Sequence, residues 1–279
     1  MFTDTHGFGA SINRNNVEVI SVSSGKGGVG KTLTTIHLAL SWQNLGKDVL
    51  IIDGDLGLAN VDVMLGLHAR RNISDVIEGE CELQDVALDG PFGIKVLPAG
   101  SGIASLANLT GIKRHLLGSK LRKYIQRFDT AIIDNGAGIN HNVIEFCKLA
   151  EKTVIVTTPE PHAITDAYAL VKVLSESGVN THLELLVNMS KTPKEAENVY
   201  SRLSEVAQQF LGVHVGYLGS VPNDSQVATL IRAGHIAKGQ SIQTLAGQSW
   251  RKISGRLEKA STGNLSRQNL FETKILHSL

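Results

Sequence analysis

The sequence predicts an α/β protein built on a doubly wound, mainly parallel β-sheet flanked by helices. Three observations carry that expectation. Residues 17–22, Val-Glu-Val-Ile-Ser-Val, read as a buried strand that feeds a glycine-rich stretch and then a helix-patterned segment. Two further apolar runs, 49–52 and 131–133, are unbroken rather than alternating, and each ends in an aspartate. That is the habit of a parallel strand buried on both faces. Strand-like and helix-like segments then alternate to residue 233, which implies right-handed crossovers.

Composition narrows the class. The chain has 279 residues and is 42% apolar, enough to bury one large core. A formal charge of +1 argues against a nucleic-acid binder driven by bulk charge. The two cysteines, Cys81 and Cys147, lie far apart and outside any C-x-x-C pair, so neither a disulfide framework nor a zinc site is expected, and a reducing compartment fits. No run approaches the roughly 18 apolar residues of a membrane-spanning helix, and the polar start does not read as a signal peptide. Residues 1–16 read as a flexible N-terminal arm, 17–245 as the main domain and 246–279 as a helical tail.

The elements follow in order. The strand at 17–22 enters Ser24-Gly25-Lys26-Gly27-Gly28-Val29-Gly30-Lys31-Thr32. Gly25, four residues, then Gly30-Lys31-Thr32 fits the phosphate-loop spacing G-x-x-x-x-G-K-[ST]. A helix over 32–45 carries apolar Ile36, Leu38, Ala39, Leu40 and Trp42, with Gly46 as a plausible stop. Backbone N–H groups and the positive helix end would face phosphate oxygens, and glycines let the backbone wrap closely. Lys31 would reach the β- and γ-phosphates, and the Thr32 hydroxyl would take a Mg²⁺ position. The loop residues Gly25 to Thr32, with Thr34 beyond them, are therefore the candidate nucleotide contacts. The spacing does not require a cation at Lys26, which could serve its own site, project to a neighbour's, or, as the plainest reading, be a solvated surface lysine.

The strand at 49–52 ends in Asp53-Gly54-Asp55 and runs on to Asn60. Carboxylates there stand where open α/β sheets bind ligands. One could hold Mg²⁺ and the other orient a water, or one could simply cap the next helix. Short helical turns are expected at 62–67, 74–77 and 82–86, and a strand at 94–97. Helical spacing over 111–128 carries Lys113, Arg114, Lys120, Arg122, Lys123 and Arg127, either a solvated face or a partner surface. The strand over 129–134 ends in Asp134, a second acidic element suited to Mg²⁺, with a glycine-containing loop at 135–138. A strand at 153–158 leads to a helix over 163–177 capped by Thr165 or His162, then a strand at 183–187 ending at Asn188. A helix at 193–211 and a last strand at 213–221 follow, and Asn223 or Asp224 would cap a helix to Ala233. The segment 247–260 puts Trp250, Ile253 and Leu257 on one face, and Leu270, Phe271, Ile275, Leu276 and Leu279 recur at helical spacing beyond it. Either segment suits a membrane interface or docking onto the core.

The loop Lys26 to Thr32, with its extra lysine, resembles the deviant phosphate loop of the MinD/ParA class of ATPases. The stretches Asp55-Leu56-Gly57-Leu58-Ala59-Asn60-Val61-Asp62-Val63-Met64-Leu65-Gly66-Leu67 and Pro159-Glu160-Pro161, followed by Ala163 to Leu170, resemble its FlhG (FleN) branch, MinD-like regulators of flagellar number. The resemblance covers about residues 17–233. It implies a Mg²⁺-dependent ATPase that forms an ATP-dependent homodimer. Lys31 would bind its own ATP, Lys26 the phosphates across the dimer, Thr32, Asp53, Asp55 and Asp134 the metal region, and Asp55 the hydrolytic water. Asn188 and the Pro222-Asn223-Asp224 segment would read adenine. Implied partners are an FlhF-type GTPase, a flagellar transcription regulator, basal-body switch proteins and membrane lipid bound by a C-terminal amphipathic helix. Residues 1–16 lack the Asp-Gln-Ala motif with which many members begin, and Asn135 stands where relatives carry Thr or a small residue. Within the class, a ParA-type DNA-associated ATPase, a MinD-like division-site ATPase, a metal-cluster ATPase using Cys81 and Cys147, and a binding module without turnover are the alternatives.

Overall fold

A computed structural model describes residues 17–55, 60–71, 73–98 and 111–261. Eight strands form one sheet in the order β3-β4-β2-β5-β1-β6-β7-β8. They are β1 Glu18–Ser24, β2 Val49–Gly54, β3 Leu88–Asp89, β4 Lys95–Leu97, β5 Thr130–Ala137, β6 Lys152–Thr157, β7 His182–Ser190 and β8 Val215–Pro222. All pairings are parallel except β3 with β4. β1 lies at the centre, and its buried residues show why the apolar runs do not alternate. Ile20 and Val22 point to one face, Val19 to the other, and all three are fully buried.

The first face is covered by α1 Lys31–Gln43, α2 Val61–Leu65, α9 Ser225–Arg232 and α10 Leu245–Ser261. The opposite face carries α3 Ile73–Ile77, α4 Leu83–Val86 and α5 Gly111–Ile125 beside α6 His141–Leu149, α7 Pro161–Glu176 and α8 Pro193–Leu211. α1 is sandwiched: the sheet lies on one side and α10 on the other, so eleven of its thirteen residues are buried. Trp250 of α10 stacks on His37 of α1 with ring centroids 4.0 Å apart, and Ile253 and Leu257 join the same core. Each such side chain contributes about 1.5–3 kcal/mol by leaving water.

The expected boundary at 245/246 falls at the start of this packing: α10 docks on α1 and β8, and its Trp250, Ile253 and Leu257 are buried in the same core as α1. The expected arm at 1–16 and the apolar residues from Leu270 to Leu279 lie outside the described residues. α8 has the predicted bounds, with Thr192 capping it through the Glu195 N–H at 3.1 Å. α9 is capped by Asp224 through the Gln226 N–H at 3.0 Å. α7 differs from expectation. It begins at Pro161 behind Glu160, since proline's fixed φ and missing N–H suit a first helical turn, and Thr165 only bonds the Pro161 carbonyl within the helix. β5 also runs on through Ala137, so the expected loop at 135–138 starts late. Sequence periodicity missed α6, which Asn140 caps, and the two-residue edge strand β3.

Candidate nucleotide-binding site

The loop between β1 and α1 is shaped by what crowds it. A Cβ on Gly25 would lie 2.1 Å from the Asp166 carbonyl oxygen of α7. Gly30, the residue before α1, has φ +90° and would clash with the Asn188 amide at 2.2 Å. No side chain caps α1, so its first N–H groups are left to the loop's concavity, with Gly27 and Gly28 exposed at the rim and Val29 buried behind them. Asn188, at the end of β7, donates its amide N–H to the Val29 carbonyl at 2.8 Å.

The acidic residues gather beside this loop because their strands are neighbours. Asp53 pairs in register with Asp134, and Asp134 with Val22. Lys31 Nζ and Thr35 Oγ1 both donate to Asp134 Oδ1, at 3.2 and 3.0 Å, and the nearby Thr32 hydroxyl favours the same charged carboxylate. Asp134 Oδ2 is buried with no partner among the described residues. Burial pushes the Asp134 carboxyl upward, and Lys31 opposes that shift. Asp53 accepts the Asp55 N–H at one oxygen (3.0 Å) and those of Asn60 and Val61 at the other (3.1 and 3.2 Å). Burial raises it to about 6 despite these bonds. Asp53 therefore does tie the start of α2, as the capping alternative anticipated. Asp55 is half-buried and accepts from the Asn60 amide at 3.4 Å.

A Mg²⁺ ion fits this chemistry. Two carboxylates that burial drives toward protonation, one with an orphaned oxygen, stand beside the Thr32 hydroxyl, and a hard cation with oxygen ligands would relieve both.

The two lysines of the loop sit differently. Lys31 is buried against Asp134, whereas Lys26 is 40% exposed and meets Glu160 Oε2, itself 67% exposed, at 3.1 Å. Thr34 was expected as a nucleotide contact and is not placed as one. Its hydroxyl accepts the Trp250 indole N–H at 3.3 Å on the face of α1 toward α10. A helix turns about 100° per residue, so Thr35, one turn after Lys31, takes the site-facing position. The i, i+4 spacing from Lys31 was the signal that could have found it. Asp224 is likewise bonded to two helix starts, through Gln226 N and Ala246 N at 3.0 and 3.2 Å. Pro222 and Asn223 extend the sheet edge beside β7, with the Asn223 N–H on the Ser190 carbonyl at 3.0 Å. Cys147 is buried and its thiol is pushed up by that burial, while Cys81 is half-exposed.

A glycine-rich strand-to-helix loop whose lysine reports to a strand-end aspartate is the defining arrangement of a P-loop NTPase. Comparison with known proteins narrows this. The ParA family model, described as NUBPL iron-transfer P-loop NTPase, matches residues 15–258. The antiactivator FleN of Pseudomonas aeruginosa is 42% identical over 216 residues, covering 77% of each chain. The flagellum site-determining protein YlxH of Helicobacter pylori is 35% identical, covering 91% of this chain and 86% of its own. Among solved structures, the cell division ATPase MinD of Pyrococcus furiosus superposes with a TM-score of 0.69 at 25% identity, over 89% of this chain and 100% of that one. The MinD of Pyrococcus horikoshii, solved with Mg-ADP, gives 0.68 at 25% identity, over 88% and 97%. The chain belongs to the MinD/ParA family of P-loop ATPases, on its FleN/FlhG branch.

Proposed function

We propose that this protein is a slow, Mg²⁺-dependent ATPase that works as a dimerising switch in setting flagellar number or placement. The observation that carries the reading is the contrast between the two loop lysines. Lys31 is buried on Asp134 and serves its own site. Lys26 lies outside, where among the described residues its ammonium meets a surface carboxylate, Glu160, and such a pair stabilises by about 0–1 kcal/mol. Lys26 can be withdrawn from Glu160 at little cost and offered to the nucleotide of a second copy. Closure is then tied to the γ-phosphate, because only a contact that differs between two states shifts their balance.

Bound Mg²⁺ would supply charge neutralisation at the phosphates, held by Thr32, Asp53 and Asp134 directly or through water. Lys31 leaves Asp134 for the nucleotide's own phosphates. Asp55 orients the attacking water. Asn188 steadies the loop from the side where, with Pro222 and Asn223, the base would lie. Loss of the γ-phosphate removes the cross-dimer contact and lets the copies part.

The flagellar role rests on the FleN antiactivator and the YlxH flagellum site-determining relatives. An FlhF-type GTPase, a flagellar transcription regulator and basal-body switch proteins are the partners this reading names. Among the described residues no helix is long and apolar enough to cross a membrane. With the apolar face of α10 buried as far as Leu257, peripheral membrane contact would fall to the residues beyond 261. Nucleic acid is not favoured as a partner: Lys120 of α5 is bonded to Glu82, and Arg127, just beyond the helix, to Gln84 and the Tyr124 ring. Asp55→Ala should slow turnover by about 10²–10⁴ while ATP-bound dimers persist in size-exclusion chromatography. Monomers only, at saturating ATP, would remove Asp55 from its assigned role.

A further inference from the structure

Beyond the nucleotide site, the sheet holds a sealed polar cluster that the ATPase chemistry does not use. Strand alternation sends Asp134 to the α1 face and its neighbour Asn135 to the opposite one, where it is fully buried. There the Asn135 amide donates to Ser21 Oγ at 2.7 Å and Ser23 Oγ at 2.6 Å, with Cys147 Sγ of α6 at 3.7 Å. The two hydroxyls are 3.1 Å apart and each lies 3.4 Å from the same sulfur. Asn135 Oδ1 is buried with no partner among the described residues. A polar group left unsatisfied in a core is a cost that an alanine or a threonine methyl would avoid.

The register explains what this cluster holds. β1 and β5 pair step for step up to Val22 with Asp134, but the next pair is Ser24 with Ala137. Two steps on β1 thus match three on β5, a bulge at Asn135–Gly136. Bulges bend a strand and re-aim its side chains. Here the bulge carries Gly136 against Asp55: a Cβ on Gly136 would stand 3.6 Å from Asp55 Oδ1. The ladder resumes with the Gly138 N–H on the Ser24 carbonyl at 2.9 Å. Because one amide bonds hydroxyls two residues apart on β1, β5 cannot slip along β1 without breaking both contacts.

We propose that Asn135, with Ser21 and Ser23, is a positioning clasp. From the face away from the nucleotide it locks the β5 bulge, and so sets Asp134 and Gly136 relative to the phosphate loop and Asp55. The inference rests on the ATPase reading and assigns Asn135 a positive role in turnover.

The test compares wild type, Asn135→Ala, the Ser21→Ala/Ser23→Ala double variant and the triple variant. It measures kcat, KM for ATP, the Mg²⁺ concentration for half-maximal nucleotide binding, and the melting temperature. Asn135→Ala and the serine pair should each lower kcat about tenfold with KM within about twofold, as loss of outer-shell support does. The triple variant should be no slower than the worse of its parents, since both changes undo one clasp. A kcat unchanged in folded Asn135→Ala, with or without a lower melting temperature, overturns the proposal, and so do effects that multiply in the triple variant. If Asn135→Ala does not fold, the serine pair alone decides by the same criterion. A wild-type chain that binds ATP without turnover defeats the ATPase reading instead. The clasp is then judged by Mg²⁺ half-saturation, and an unchanged value in Asn135→Ala overturns it.

Discussion

Acid should loosen the helix that follows the phosphate loop, and a single histidine should account for it. His37 lies in the middle of α1, 1% exposed, with its ring nearly parallel to Trp250 at an interplanar angle of 11°. Its Nε2 has no partner among the described residues, and burial lowers its pKa from 6.5 to about 3. The folded protein therefore refuses a proton that the unfolded chain accepts below pH 6.5. Stability is full above that value and is lost as pH falls toward 3. By pH 5 the gap is about 1.5 units, worth about 2 kcal/mol at 1.36 kcal/mol per unit. Asp53 and Asp134, both raised by burial, act with the opposite sign in acid. Both persist in a His37→Phe variant, so subtracting the two series removes them. Phenylalanine keeps a flat ring against Trp250, and at pH 7.5 the substitution should cost less than about 1.5 kcal/mol. Urea unfolding of nucleotide-free wild type and His37→Phe, at pH 7.5 and at pH 5, should show wild type losing about 2 kcal/mol more than the variant. Parallel losses in the two proteins would refute the claim that His37 is held neutral by burial.

Two further outcomes test the dimerising switch and its anchor. Lys26→Ala should keep ATP binding within about tenfold while losing ATP-dependent dimers by light scattering and most turnover, because an exposed lysine adds little to its own site. Unchanged dimerisation would return Lys26 to the role of a surface lysine. Removing residues 264–279 should abolish ATP-dependent co-sedimentation with anionic liposomes and leave nucleotide binding intact. An intact chain that never sediments with liposomes would exclude the anchor.

Much of the site was legible because its parts are local. Gly25 to Thr32 announce an anion loop by spacing, and Asp53 and Asp134 stand out as charges closing unbroken apolar runs. What was not legible depends on which face of an element meets which neighbour. Thr34 and Thr35 are adjacent and equally polar; helical phase from Lys31 turns Thr35 to Asp134, and only the docking of α10 gives Thr34 its partner, Trp250. The two readings of the segment 247–260, lipid or core, stayed open for the same reason. An amphipathic helix with Trp250, Ile253 and Leu257 on one side is equally suited to lipid or to a protein core until the exposed side of α1 is seen to need a cover. Asn135 looked like a departure within the site, but β5 turns it to the other face, onto serines more than a hundred residues earlier in the chain.

The sequence by itself determined the fold class, the phosphate loop and the acidic strand ends, because each follows from a short-range pattern of apolar periodicity, glycine spacing and charge. Tertiary structure decided the pairings between distant segments: Lys31 with Asp134, Lys26 with Glu160, Asn188 with the Val29 carbonyl, and Asn135 with Ser21 and Ser23. The physical reason is strand order. β5 and β6 flank β1, and β7 lies beyond β6, so residues from four parts of the chain meet across the central strands in a way that no local pattern encodes.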